Sequence, residues 1–245
     1  MSPYATRFGR SPLTEAVFEM RFAAAAERGV ELLPGVMLAA LGKGFPRLEQ
    51  LPLGTLPKEM RDARPELQHA AVFKLQGDTE ALLLGDRVVS FNATRPYPGW
   101  SKFRARALQV AIALKEAGHI AHLDRYSLKY VNVIAGSQSN PTAPFNLRVD
   151  AKSIELSPNG FRLRIETKIK GFINIVEWTS NVTSTVGKEK LQGTMMTLDT
   201  IVEPADEGFW NQLQSCLDAT HDVLEGVFFD LLTQETINAM EPSYD

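Results

Sequence analysis

The sequence is poor in the features that most directly reveal a function. It contains one cysteine, Cys216, which excludes an internal disulfide and any zinc site built from several cysteines. Residues 1–10 are polar and lack the apolar stretch of a secretory signal, and no run of apolar residues is long enough to span a bilayer. We therefore expect a cytoplasmic protein that does not partner with a membrane.

The sequence also lacks an excess of basic charge. It has 26 Lys and Arg against 29 Asp and Glu, a net charge of −3, so any contact with a polyanion would have to come from a local basic patch. Four common motifs are missing: G-x-x-x-x-G-K-[ST], G-x-G-x-x-G after a strand, G-x-S-x-G and H-E-x-x-H. These absences weaken the nucleotide-hydrolase, Rossmann, serine-hydrolase and metalloprotease interpretations, and we predict no cofactor.

What the sequence does contain is a strand pattern of unusual clarity in residues 125–134. Its apolar face carries Tyr126, Leu128, Tyr130 and Ile134, and its polar face carries Arg125, Ser127 and Lys129. A period of two with aromatic and β-branched residues predicts a strand with one buried face. Asn132 lies on the apolar face, where it needs hydrogen-bond partners if it is buried.

The N-terminal half, residues 1–136, alternates strands and helices. A first strand is predicted at residues 16–22 and a short helix at 32–41. A long loop is predicted at 46–65, followed by further strands at 70–75 and 81–91. A helix is predicted by the apolar stripe Trp100, Phe103, Ala107, Val110, Leu114 and Ala117, ending at Gly118. The order β-α-β-β-α-β is compatible with a ferredoxin-like antiparallel unit.

The C-terminal half, residues 145–245, is richer in strands. Segments 146–156 and 161–167 flank Pro158-Asn159-Gly160, a strong hairpin signal, and 169–179 and 194–202 continue a β-meander. Apolar residues from 209 to 231 predict a long C-terminal amphipathic helix. We predict an α+β protein with antiparallel sheets whose two halves, joined by a loop at 136–144, pack as one compact unit.

Four segments carry a resemblance: Pro12–Phe22, Tyr97–Trp100, Arg125–Asn132, and Leu217–Phe228 with its His221-Asp222 pair. Together they resemble a sporadically distributed, uncharacterised prokaryotic protein family of similar length. The resemblance extends over essentially the whole chain. It implies a single unit in a prokaryotic cytosol, and because the family has no established activity, it implies no catalytic residue.

Basic residues gather at the start of the Trp100 helix. Lys102, Arg104 and Arg106 oppose the positive end of the helix dipole at a cost of a few tenths of a kcal/mol each, which a bound phosphate or other anion would offset. Adding the polar strand face gives a candidate anion site of Arg95, Lys102, Arg106, Arg125 and Lys129. The alternatives are a solvated basic face with acidic neighbours and a cross-strand charge ladder with Glu15, Glu19 and Arg21.

Two other groups contain side chains of the kind that bind metals. Asp218, His221, Asp222 and Glu225 share one helix face, but no second Glu-x-x-His completes a bundle site. His119, His122 and Asp124 precede a strand that would point the two histidines to opposite faces. We predict no metal site, and we expect Cys216 to be a buried, inert thiol.

The leading functional hypothesis is a binding or interaction protein, a component of a multi-protein or operon-encoded system, with a protein partner or a second copy of itself. It is motivated by the missing catalytic motif and by Trp100, Trp178 and Trp210 as candidate interface anchors. The alternative is an enzyme or small-ligand binder that holds an anionic, phosphate-containing ligand on the five basic residues. Nucleic-acid binding is a weaker alternative, and it needs a continuous patch that joins the basic start of the Trp100 helix to Arg162, Arg164, Lys168 and Lys170.

Overall fold

The fold is described from a computed structural model. The structure describes residues 4–25, 29–136, 140–149, 160–186, 189–203 and 208–244. It combines helices with antiparallel strands, which confirms the predicted α+β class. No helix within these residues is long and apolar enough to cross a membrane.

Within the described residues, eleven strands and six helices follow one another along the chain. The strands are β1 (Arg7–Phe8), β2 (Leu13–Ala24), β3 (Arg47–Gln50), β4 (Ala71–Gln76), β5 (Glu80–Gly85), β6 (Val88–Thr94), β7 (Ile120–Ile134), β8 (Arg162–Ile169), β9 (Phe172–Val186), β10 (Glu189–Val202) and β11 (Pro242–Ser243). The helices are α1 (Leu33–Leu41), α2 (Lys58–Asp62), α3 (Trp100–Glu116), α4 (Gly208–Asn211), α5 (Leu213–Leu231) and α6 (Gln234–Ala239). Short 3-10 turns lie at Val30–Leu32, Gly42–Gly44, Pro52–Thr55 and Pro65–Leu67.

Two compact units divide the chain, and each is built from discontinuous segments. We call them the central unit (Val17–Leu128 and Ile201–Asp218) and the terminal unit (Met1–Ala16, Lys129–Thr200 and Ala219–Asp245). The predicted division into halves 1–136 and 145–245 stays a prediction.

The central unit is a sheet covered by helices. Its strands have the order β3-β4-β5-β6-β2-β7, with antiparallel pairs from β3 to β6. Helix α3 packs against the sheet through Phe103, whose ring lies 5.2 Å from that of Phe91, and α1 packs against α3. Phe18, Met20 and Phe22 of β2 are fully buried, as their alternation predicted.

The terminal unit contains strand order β2-β7-β10-β9-β8 and a separate two-stranded sheet of β1 and β11. Its core includes Trp178, which is 1% exposed and packs edge-on against Phe145 at 6.2 Å. Tyr4 stacks on Phe229 of α5 at 4.6 Å. Strands β8 and β9 form a hairpin whose turn has positive φ at Lys170 and Gly171.

Strand β7 contains the segment with the clear alternation, and it begins earlier than predicted, at Ile120. Tyr126, Leu128 and Ile134 are buried, and buried Asn132 donates from Nδ2 to the carbonyl of Met196 at 3.5 Å. The predicted need of Asn132 for a partner is confirmed. Ser127, predicted on the polar face, is also buried. A strand inside a sheet can be covered on both faces.

Two local predictions differ from the structure. The predicted loop 46–65 contains strand β3 and helix α2, which are too short to show a period. The predicted strand 146–156 begins instead with irregular structure, because Asn146 donates from Nδ2 to the carbonyls of Asp230 and Leu232 at the end of α5. Residues 150–159, with the predicted Asn-Gly turn, lie outside the described residues.

Candidate functional site

The five predicted anion-site residues lie on three elements. Arg95 follows β6, Lys102 and Arg106 lie on α3, and Arg125 and Lys129 lie on β7. Lys102 is exposed. Three of the five, Arg106, Arg125 and Lys129, are each in an ion pair with a different carboxylate. The structure therefore places these three charges in separate contacts with acidic groups. Whether they bind an anion stays a prediction.

On α3 the carboxylates come from distant parts of the sequence. Arg106 donates from Nε to Glu80 at 3.1 Å, and its guanidinium lies 5.1 Å from the centre of the Phe45 ring. Asp218 accepts from Arg104 at 2.6 Å and from the Trp100 indole at 2.9 Å. These acidic neighbours stabilise the basic first turns of the helix.

On the strands, the polar face contains a charge cluster that we define as Glu19, Arg21, Arg125 and His69. Glu19 Oε1 accepts from Arg21 at 2.7 Å and from Arg125 at 3.2 Å. Burial, with the positive charges of Arg21 and Arg125, lowers the pKa of His69 below its ordinary value of 6.5. In the terminal unit, Lys129 lies 3.6 Å from Asp199.

The groups with metal-binding side chains are divided by the fold. Asp218 belongs to the contact with Arg104, the His221 ring packs edge-on against Tyr130 at 6.1 Å, and exposed His122 lies 3.9 Å from Asp124. Among the described residues, no three His, Cys, Asp or Glu side chains are grouped to hold a metal ion. Cys216 is half-buried rather than buried.

The basic residues proposed for nucleic-acid binding also have acidic neighbours. Arg164 contacts Glu177 at 3.2 Å and Glu166 at 3.3 Å, and Arg162 contacts Glu177 at 3.5 Å. Carboxylates on the same hairpin repel phosphate groups. Nucleic-acid binding stays a prediction.

A cavity that the sequence does not predict lies in the central unit, and it is the best candidate site. Its volume is about 340 Å³. It is located where the end of β2 approaches the β5–β6 turn and the start of β7, and backbone hydrogen bonds from Phe22 to Arg87 and from Ala25 to His119 join these walls. The lining residues are Phe22, Ala23, Ala24, Ala25, Val30, Leu33, Lys58, Gly85, Asp86, Arg87 and His119.

The cavity wall is supported by a buried ion pair. Arg61, on α2, donates from Nε to Asp86 at 2.6 Å and from a terminal nitrogen at 3.0 Å, and the two side chains are 3% and 5% exposed. The hydrogen bond to Asp86 raises the pKa of Arg61 above its ordinary value, although burial opposes this. A bidentate pair of this kind fixes the orientation of the Asp86 carboxylate.

Two further cations line the cavity at its more exposed side. Lys58 donates to Asp62, and Arg87 lies 3.6 Å from the same carboxylate. The hydrogen bond from Lys58 lowers the pKa of Asp62 below 3.8, and the charge of Arg87 contributes. Lys58 and Arg87 therefore share one carboxylate between them, and part of their positive charge is available to a ligand.

His119 is a second buried polar residue of the wall besides Asp86, at 3% exposure. Its Nε2 lies 3.3 Å from the carbonyl oxygen of Gly29. Its Nδ1 is buried and has no hydrogen-bond partner within the described part of the chain. His119 was predicted to lie in a group with His122 and Asp124, but the fold buries His119 and exposes His122.

The site combines an apolar wall with two cations and one buried histidine, a composition suited to a small organic molecule with an acidic group. The sequence does not predict this site because Lys58 lies in a predicted loop and Asp86 in a predicted turn, where polar residues are expected for other reasons.

Comparison with models of known protein families and with curated proteins finds no match to this chain.

Proposed function

We propose that this protein binds a small organic anion in the cavity of the central unit. The observation that carries the proposal is the cavity itself, which has Lys58 and Arg87 beside the apolar side chains of Phe22, Val30 and Leu33. A ligand site needs unfilled volume as well as charge, and specific sites are mostly apolar with a few placed polar groups.

Charge supports an anionic ligand. Three cations, Lys58, Arg61 and Arg87, are joined by ion pairs to two carboxylates, Asp62 and Asp86. The group therefore has one positive charge more than it has negative charges. Glu31 adds a carboxylate nearby, but it is exposed, so water and salt screen its effect. One acidic group on a ligand would complete the pairing.

Size supports a metabolite rather than a polymer. A volume of about 340 Å³ is at the lower end of the range for ligand pockets. Such a space admits a compact acid of metabolite size. It does not admit a folded peptide or a nucleic-acid strand.

The test is calorimetric unfolding of the whole chain with organic acids, inorganic phosphate and nucleotides at millimolar concentration. A ligand at one hundred times its dissociation constant stabilises the native state by about 2.7 kcal/mol. Lys58→Met and Arg87→Met should each weaken binding about tenfold, as expected for the loss of a charged hydrogen bond. Stabilisation by none of these compounds would refute the proposal.

Lys102→Met is the matched control, because Lys102 is an exposed lysine of the predicted anion site and does not line the cavity. It should leave binding unchanged. If Lys102→Met abolishes binding and Lys58→Met does not, the ligand binds at the predicted basic set instead. The expected protein partner and operon context stay predictions, which a pull-down of the whole chain from its native host tests separately.

We also propose that the first half is an elaborated ferredoxin-like unit, β2-α1-β5-β6-α3-β7, to which β3 and β4 are additions. The spatial order β5-β6-β2-β7 supports this arrangement. The cavity would then lie at one end of the core strands, at the β5–β6 turn and the start of β7, where loops are free to vary without loss of the sheet.

A further inference from the structure

The two exposed cations of the cavity already share an anion that belongs to the protein itself. We infer that this anion, the carboxylate of Asp62, is the specificity-determining group of the site and limits the ligand to an acid with a single negative charge. The inference rests on the proposed function, since it names the class of acid that the same cavity binds.

The first step concerns the position of Asp62. It is the last residue of α2, one helical turn after Lys58, which donates to its Oδ2 atom, and a terminal nitrogen of Arg87 lies 3.6 Å from its Oδ1 atom. Each carboxylate oxygen therefore faces a different cation. Lys58 and Arg87 line the cavity, whereas Asp62 is not one of the lining residues. Its charge therefore acts on a ligand through space and through the two cations.

The second step concerns access. The side chains of Lys58 and Arg87 are 46% and 39% exposed, and that of Asp62 is 32% exposed, so a molecule that enters the cavity can reach the two cations. Arg61 and Asp86 are almost completely buried and are paired with each other, so their charges cancel. The charge that a ligand meets is therefore set by the three exposed groups.

The third step concerns how firmly this arrangement is held. Gln68 connects Asp62 to Arg87, because its Nε2 donates to the Asp62 carbonyl oxygen at 3.1 Å and its Oε1 accepts from Arg87 at 3.4 Å. The adjacent residues Arg61 and Asp86 form the buried pair that joins α2 to the β5–β6 turn. Two connections therefore hold the Asp62 carboxylate beside Arg87, and its charge stays at the site when a ligand binds.

The fourth step is the charge balance. Two cations and one carboxylate leave a single positive charge at the exposed side of the cavity. The hydrogen bond from Lys58 lowers the pKa of Asp62 below its ordinary value, so this carboxylate is ionised at neutral pH. A monocarboxylate completes the balance, whereas the second charge of a dianion would repel Asp62.

The size of that repulsion follows from Coulomb's law. Unit charges about 6 Å apart change an affinity by roughly three- to one-hundredfold, depending on how much water lies between them. Because Asp62 is partly exposed, water and salt screen its charge, and the lower part of the range applies. We therefore expect the site to prefer a monoanion to a dianion of the same shape by roughly three- to tenfold.

The experiment compares acids that differ in charge but little in shape, by isothermal titration calorimetry of the whole chain at pH 8. The three diacids are butanedioate, hexanedioate and phthalate, and each is compared with its monomethyl ester. At this pH both carboxyl groups of a diacid are ionised, and an imidazole with the ordinary pKa is neutral. In every pair that binds, the monoester should bind more tightly than the diacid.

Two variants separate the charge of Asp62 from its structural contacts. Asp62→Asn keeps the shape of the side chain and removes the charge, so the ratio of the two affinities should move toward the diacid by roughly three- to tenfold. Asp62→Glu keeps the charge, so the preference for the monoester should persist. A purely structural role of Asp62 would weaken both acids of a pair by the same factor in Asp62→Asn, and that result would contradict the inference.

Asp78→Asn is the matched control. Asp78 is an exposed aspartate in the turn before β5, whereas the cavity lies at the turn that follows β5. This variant removes the same charge from the chain but not from the cavity, so the ratio of the affinities should stay unchanged. If the ratio moves as far as it does in Asp62→Asn, the net charge of the chain selects the acid and the inference is overturned.

The outcomes separate the inference from the proposed function. If the diacids bind to the wild-type protein as tightly as their monoesters, or more tightly, the inference is wrong while the proposed function stands. If no acid of either kind binds, both are wrong.

Discussion

The charge cluster and the cavity belong to the same unit and each place two cations on one carboxylate, but in the cavity these charges lie beside unfilled volume. In the cluster, Glu19 is shared by Arg21 and Arg125 in direct contacts. In the cavity, buried Arg61 and Asp86 pair with each other, and Lys58 and Arg87 compete for Asp62 beside an unfilled volume. The number of basic residues therefore says little about a binding site. Surplus charge next to space is the more informative feature.

The largest effect is expected from the pair that supports the cavity wall. Arg61→Met should lower the free energy of unfolding by about 3–5 kcal/mol, because it leaves the Asp86 charge buried without its partner. Urea denaturation followed by circular dichroism measures this. Arg164→Met, which breaks exposed pairs, should cost less than about 1 kcal/mol.

The double variant Arg61→Met/Asp86→Leu checks the cause. It should recover most of the stability, because two apolar side chains replace both charges. A double variant as unstable as Arg61→Met would show that packing, rather than an unpaired charge, explains the loss.

A smaller effect is expected from a glycine of the cavity wall. A Cβ atom on Gly85 would lie 2.3 Å from the carbonyl oxygen of Ala70 and 2.7 Å from Val88 Cγ1. Gly85→Ala should therefore destabilise the protein by about 1–3 kcal/mol, as overpacking does. Gly35→Ala is the matched control, because its Cβ meets no atom within 4 Å. It should stabilise α1 by about 0.5–1 kcal/mol.

Replacement of one arginine in each region sharpens the comparison directly. Arg125→Met should lower the free energy of unfolding by about 1–2 kcal/mol, because its hydrogen bond to Glu19 is lost, and it should not change the binding of organic acids. Arg87→Met should weaken the binding of organic acids and leave the free energy of unfolding nearly unchanged. If both variants lose binding equally, the result would favour the predicted anion site, which includes Arg125.

The smallest expected effect concerns His69. Its pKa is lower in the folded protein than the ordinary value of 6.5, so below pH 6.5 the unfolded chain takes up more protons than the native protein. Stability should therefore fall as the pH decreases from 7 toward the lowered pKa. Calorimetric melting temperatures between pH 7.5 and 5 should show a shallower decline in His69→Gln. An unchanged pH dependence would place the titrating group elsewhere.

Regular periodicity explains what the sequence predicts correctly. Phe18, Met20 and Phe22 alternate along β2, and Phe103 and Ala107 recur at helical spacing on α3, so burial of one face identifies each element locally. Strand β3 and helix α2 span four and five residues, too few for a period to appear. Tertiary contacts decide the structure of such segments.

The cavity is not predictable in the same way, because its walls come together only in the fold. Arg61 and Asp86 are 25 residues apart, and neither shows by local pattern that it is buried. The carboxylates Glu80 and Asp218, which contact basic residues of α3, lie 26 and 114 residues from their partners. One sequence feature does point to the cavity wall. His119 lies between Gly118 and the start of a strong strand pattern, where a polar aromatic residue close to the core is unusual.

The three tryptophans are divided unequally between the two units. Trp178, fully buried, belongs to the terminal unit, whereas half-buried Trp100 and Trp210 belong to the central unit. Indole emission moves to longer wavelength when the ring becomes hydrated, so intrinsic fluorescence gives each unit its own optical signal. In Trp178→Phe the emission would come from the central unit alone. Comparison of its melting curve with that of Trp100→Phe/Trp210→Phe would show whether the two units lose structure in one cooperative transition or in two.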